Sequence, residues 1–81
     1  MSTARATFST SVANAHTAAE TGGITFPDGT TASRVSAKAA YAAGGSYNTF
    51  ILTLEKINAW EQEQKQLALN TLRATGDVNP L

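Results

Sequence analysis

The sequence predicts a mainly α fold: one long C-terminal helix packed with one or two short Ala-rich helices, with room for a short β-hairpin around Pro27–Gly29. Three observations carry this expectation. Residues 46–75, SYNTFILTLEKINAWEQEQKQLALNTLRAT, contain no Gly or Pro and are rich in strong helix formers. Glycines at 22–23, 44–45 and 76 fall where helices should stop. Phe8, Val12, Ala15 and Ala19 recur at i, i+4, i+7 and i+11, one stripe of a helix. The chain reads as a single small domain over 1–81. An N-terminal arm or helix spans 1–23, a turn or hairpin 24–35, a short helix and Gly-Gly turn 36–45, the long helix 46–75 and a tail 76–81.

Taken in order, ARATFSTSVANAHTAAET (Ala4–Thr21) is a helix of middling propensity. Its Ser and Thr residues compete for the backbone and favour caps or turns, so Ser9 or Ser11 is an alternative start that would leave an extended arm before it. The stripe is narrow and made of small side chains, suited to close packing on another helix. In ITFPDGTTASRV (Ile24–Val35), Pro27 presets φ, Asp28 can bond the backbone that follows, and Gly29 accepts positive φ. Ile24–Phe26 and Thr30-Thr31 are β-prone. An ordered connecting loop, a hairpin, and a strand donated to another chain's sheet all remain open for this stretch. SRVSAKAAYAA (Ser33–Ala43) is a short Ala-rich helix capped by Thr31 or Ser33. Its expected apolar face is Val35, Ala39 and Ala42, with Tyr41 to one side. Gly44-Gly45 should reverse the chain, folding this helix back on the long one as an αα-hairpin.

On the long helix, Tyr47, Ile51, Leu54, Asn58, Glu61, Lys65, Ala68 and Leu72 alternate four- and three-residue spacings. The ends of this seam are apolar and its middle is polar. On a wheel of about 100° per residue, Phe50, Ile57 and Leu69 flank the seam, while Leu52, Trp60 and Leu67 lie opposite. Two separated apolar faces need two coverings. Short N-terminal helices can supply one, which leaves the other for a second molecule. Beyond the helix, Gly76 should act as a stop, Val78 can pack back across it, and Leu81 either frays or docks into a neighbour.

Composition narrows the function more than it identifies it. Six basic and six acidic residues give a net charge of +0, so no electrostatic footprint points to nucleic acid or an anionic membrane. With no cysteine, disulfides and thiolate metal sites are excluded. The apolar fraction is 42%, but fifteen of those residues are Ala and contribute little area each. The large apolar side chains concentrate after Ser46, so the first half must lean on the long helix or on a partner. No apolar leader precedes the domain and no apolar run is long enough to span a membrane, so the expected locations are the cytoplasm or a virion.

No constellation of catalytic groups emerges. His16 is the single imidazole and has no second His or Cys to complete a metal site. Glu55, Glu61 and Glu63 share one helix, where they read as a solvated face with Glu61 and Lys65 paired at i,i+4. Asp28 and Asp77 are explained by turns, and neither glycine pair has the spacing of a phosphate loop. The sequence therefore implies no catalytic residue, no cofactor, no metal and no nucleic-acid partner.

The expected function is that of a non-enzymatic structural or interaction subunit. It packs through its long helix into a larger protein assembly, such as a phage particle or filament, by self-association or with other subunits. The candidate interface residues are Trp60, Leu67 and Leu52 on the second face, and Asn58, Glu61 and Lys65 as the polar interruption that would set register in a helix assembly. Trp60 is either intrachain core or intermolecular anchor, and the scarcity of large side chains before Ser46 favours the anchor. The rival reading is a small cytosolic, antitoxin-like regulator whose N-terminal arm folds on binding one protein partner. Stoichiometry separates the two readings, because a subunit recurs in many copies and a regulator forms a small defined complex.

Overall fold

The computed structural model describes residues 3–75. It consists of helix α1 (Thr3–Thr17), a π-helical turn (Ala18–Gly22), strands β1 (Ile24–Thr25) and β2 (Thr31–Ala32), helix α2 (Arg34–Ala42) and helix α3 (Tyr47–Ala74). The mainly α class and the long last helix are those the sequence predicts, and of the three forms left open for residues 24–35 the structure takes the hairpin. The expectations for Gly76, Asp77, Val78 and Leu81 lie outside the described residues.

Helix α1 begins at Thr3, so neither Ser9 nor Ser11 starts a shorter helix after an extended arm. Its costly Thr residues near the C-terminal end turn their hydroxyls back onto the helix. Thr17 Oγ1 donates to the Ala13 carbonyl at 3.0 Å, and Thr21 Oγ1 to the Thr17 carbonyl at 3.2 Å. The wider π turn ends with the Gly23 N–H donating to the Ala18 carbonyl at 2.7 Å. Gly23 then takes φ 95°, ψ 140°, a conformation open to glycine and costly for other residues. This sharp exit lets the chain turn directly into β1.

The hairpin pairs Ile24 with Ala32 and Thr25 with Thr31, antiparallel. Pro27, Asp28 and Gly29 form its loop, closed by the Gly29 N–H donating to the Phe26 carbonyl at 2.9 Å. Gly29 sits at φ 87°. Asp28 Oδ1 accepts from both the backbone N–H and the hydroxyl of Thr30, so turn chemistry accounts for each loop residue. A lone hairpin of this size is marginal in water. Here Ile24 and Phe26 are buried against α3, and that contact holds it.

Ser33 caps α2, not Thr31. Its hydroxyl accepts from the Ser36 N–H at 3.1 Å, while its own N–H donates to Ser36 Oγ at 2.8 Å, a reciprocal capping box. Helix α2 therefore starts at Arg34, two residues before the 36–45 boundary. Its inward face also differs from expectation. Ala37 is buried and the Tyr41 ring stacks on Phe50 with centroids 4.9 Å apart, whereas Val35 is 56% exposed and Ala39 and Ala42 face out. Turning Arg34 inward satisfies a guanidinium, and the Tyr41 ring, 42% exposed, gains its stack on Phe50 at the edge of the contact; together these outweigh the burial of one valine. Gly44 (φ 109°) and Gly45 reverse the chain, and Ser46 caps α3 by accepting from the Thr49 N–H at 3.0 Å.

Helix α3 runs 28 residues, about 42 Å, and every other element leans on it. Helix α1 lies antiparallel along it, with Phe8 beside Ala68 and Leu72 and His16 beside Glu61. The Phe8–Val12–Ala15–Ala19 stripe is the side of α1 that is half-buried or buried. The core is small: Ala19, Ile24, Phe26 and Ile57 form one cluster, with Ala18, Ala32 and Trp60 packed on it. Ile57, fully enclosed, is its centre.

That centre corrects the seam. The buried and half-buried side of α3 includes Ile51, Leu54, Glu61, Ala68 and Leu72 of the seam together with Phe50, Ile57 and Gln64 on one flank, while the seam's Tyr47, Asn58 and Lys65 are exposed. The buried face is rotated from the heptad-like seam by roughly half of one residue's turn of about 100°. Four- and three-residue spacing describes a helix meeting another long helix. Here the middle of α3 meets a hairpin and a π turn, so the face follows Ile24 and Phe26.

Candidate functional site

Two sites stand out along α3, one polar and inward, the other apolar and outward. The polar site is organised by Arg34. Its Nη1 donates to Glu20 Oε1 at 2.9 Å and to Glu61 Oε1 at 2.8 Å, and its Nη2 donates to Asn58 Oδ1 at 2.7 Å. His16 Nδ1 lies 3.2 Å from Glu61 Oε2. One planar guanidinium thus joins the π turn, α2 and α3, and Glu61 carries the connection on to α1. Only Arg has a donor fork that reaches three acceptors in this way.

The charges tune one another. Hydrogen bonding from Arg34, supplemented by His16, holds the Glu61 carboxyl below its ordinary value against the opposing effect of burial. Glu61 in turn raises the Arg34 pKa. Asp28, at the hairpin tip, is lowered to about 2 by the Thr30 hydroxyl and backbone N–H and then by Lys56, whose Nζ is 3.1 Å away. Hydrogen bonds and neighbouring cations favour the ionised form of both carboxylates. Among the described residues no cluster of His, Cys, Asp and Glu converges to hold a metal ion.

The outward site lies on the far flank of α3. The hairpin tip and α3 enclose an open groove of about 570 Å³ whose walls include Phe26, Pro27, Asp28, Lys56, Trp60 and Glu63. A second depression continues along α3 past Leu52 and shares Lys56 and Ala59 with the first. Lys56 Nζ also lies 5.2 Å over the Phe26 ring, so the floor of the groove joins a cation to an aromatic face.

The candidate residues divide between these sites. Leu52 and Leu67 are each 51% exposed on the outward flank of α3. Trp60 is half-buried, packed against the Ile24–Phe26–Ile57 core while still lining the groove. Asn58 and Glu61 are engaged by Arg34, and Lys65 is exposed beside Val12 and Glu61. So the structure brings Leu52, Trp60 and Leu67 to one flank and joins Asn58 to Glu61. It also supplies the large side chains that the N-terminal half was thought to lack for Trp60, namely Ile24 and Phe26. Arg34 escaped the sequence reading. Its partners lie on two other elements, up to 27 residues away, and no local spacing reports such a convergence.

Compared with protein-family models, with curated protein sequences and with solved structures, the chain matches none.

Proposed function

We propose that the chain is a non-enzymatic structural or interaction subunit that packs through α3 into a larger protein assembly. The observation supporting this reading is the surface that the fold leaves uncovered. The radius of gyration is 15.4 Å, against about 12 Å for a compact domain of this length. The accessible surface is 5584 Å², against roughly 4,600 Å² for a folded monomer of this mass. A helix spanning much of the 49 Å long dimension is longer than two short helices and a hairpin can cover. Among the described residues no helix is long and apolar enough to cross a membrane.

Sedimentation velocity over a range of protomer concentrations, paired with thermal melts, tests the reading. The expected result is a mass that is a multiple of the 8.4 kDa chain and a melting temperature that rises with concentration. A monomer at every concentration, melting sharply well above about 50 °C, would remove the reason for a partner.

A further inference from the structure

We propose that two copies of the chain pair α3 against α3, antiparallel, about a twofold axis passing between Ala59 and Trp60. This rests on the reading of α3 as an assembly helix and specifies the partner as a second copy. The pairing surface consists of Leu52, Lys56, Ala59, Trp60, Glu63 and Leu67. At about 100° per residue these six fall within an arc of about 100°, turned away from the direction of Ile57. The two depressions that meet at Lys56 and Ala59 make a continuous trough from Leu52 to Glu63, and Leu67 lies one turn of α3 beyond its end.

The order of residues along the trough selects the partner and its direction. Leu52 and Leu67 are equidistant from the point between Ala59 and Trp60, and so are Lys56 and Glu63. A twofold axis at that point sets Leu52 against Leu67 of the second copy, Lys56 against its Glu63, and Ala59 against its Trp60. Each contact occurs twice, as an isologous interface requires. Apolar side chains meet at both ends, opposite charges meet inside them, and a small residue meets a large one at the centre. Parallel pairing in the same register would oppose Lys56 to Lys56 and Glu63 to Glu63, which like-charge repulsion disfavours.

The surface is ready for such a contact. Leu52 and Leu67 are half exposed, and the Glu63 carboxylate makes no ion pair among the described residues. Lys56 gives one donor to Asp28 at 3.1 Å, and an ammonium has three. The contact from Leu52 to Leu67 runs roughly 22 Å, which requires the shallow helix crossing of about 20°. The hairpin tip, carrying Pro27 and Asp28, forms one wall of the trough against which the second helix lies.

Charge reversal and cysteine cross-linking test the geometry. Lys56→Glu and Glu63→Lys should each weaken self-association about ten- to thirty-fold at low salt, since two attractions become two repulsions. Equal mixing of the two variants should restore association as a heterodimer. The chain has no native cysteine, so an introduced one is read without background. Ala59→Cys should give a disulfide-linked dimer under mild oxidation. Leu52→Cys alone should not, because its two copies lie roughly 22 Å apart, whereas mixed Leu52→Cys and Leu67→Cys chains should cross-link to each other. Circular dichroism on each variant confirms that α3 is retained. An oligomer indifferent to both charge reversals, or one cross-linked by Leu52→Cys and not by Ala59→Cys, overturns the pairing and leaves the assembly reading standing. A wild-type monomer at every concentration overturns the pairing, and one that also melts sharply well above about 50 °C removes the assembly reading as well.

Discussion

Removing the Arg34 side chain should loosen the whole fold, although most of the chain's apolar burial lies elsewhere. Arg34→Ala deletes three hydrogen bonds of 2.7–2.9 Å that join the π turn, α2 and α3. Charge-assisted bonds contribute about 1.5–3 kcal/mol when shielded, and exposed ion pairs about 0.2–1 kcal/mol. Side-chain exposure is 24% at Arg34, 27% at Glu61 and 39% at Glu20. The bonds to Glu20 and to the exposed Asn58 therefore count near the exposed limit, at about 0.5 kcal/mol each, and that to Glu61 at about 1 kcal/mol. The sum, about 2 kcal/mol, corresponds to a fall of roughly 8–16 °C in Tm for a domain of this size. Circular dichroism melts at one fixed protomer concentration measure it. Arg34→Lys should recover less than half of the loss, because a point ammonium cannot span three acceptors. A cycle with Glu61→Gln should show a coupling of about 1 kcal/mol. If Arg34→Ala melts within about 3 °C of the wild type, or the coupling vanishes, the guanidinium does not hold the elements together.

Two further outcomes follow from the same geometry. Because Glu61 is depressed in the folded state, its contribution is full above its ordinary value of 4.5 and is lost as pH falls through the lower folded value. Tm should stay level from pH 7 to about 5 and then decline, with Glu61→Gln flattening the upper part of that decline and Asp28, lowered from 3.8 to about 2, accounting for the part below. At the α2–α3 reversal, a Cβ on Gly45 would stand 2.9 Å from the Ala40 carbonyl oxygen, so Gly45→Ala should cost about 1–2 kcal/mol in melts. Gly22→Ala, whose Cβ meets only the Thr17 oxygen at 3.9 Å, serves as the tolerated control.

What the sequence made legible was whatever its local chemistry dictates. Gly22-Gly23 and Gly44-Gly45 break the chain because positive φ at Gly23 and Gly44 is open to few other residues. Pro27-Asp28-Gly29 makes a hairpin loop because each residue satisfies one requirement of that turn. The rotation of α3 was not legible, since periodicity defines a face only to within the residues that flank it. Which flank is buried depends on Ile24 and Phe26, brought in from another element. The same limit hid the inward side of α2. Hydropathy favours Val35, while the fold turns Arg34 toward carboxylates that become its neighbours only once the π turn and α3 are in place.

Trp60 shows why core and interface cannot be assigned on α3 by truncating one residue. Part of its ring packs on Ile24, Phe26 and Ile57, and part lines the groove beside Pro27 and Glu63. Trp60→Ala would open space beside Ile57, the one fully enclosed large side chain among the described residues, and would also remove bulk from the wall of the groove. Loss of assembly and loss of fold would then arrive together, and neither would identify the cause. Leu52 and Leu67 do not share this ambiguity, because both are half exposed and neither belongs to the core cluster. Glu63 can be reversed in sign with little change in volume, whereas Lys56→Glu also sets a carboxylate against Asp28 and is read beside the Glu63 reversal. The outward flank of α3 is therefore best probed at its ends and its charges. The tryptophan at its centre couples the small core to whatever covers the helix, so that covering α3 and consolidating the hairpin beneath Trp60 become parts of one equilibrium.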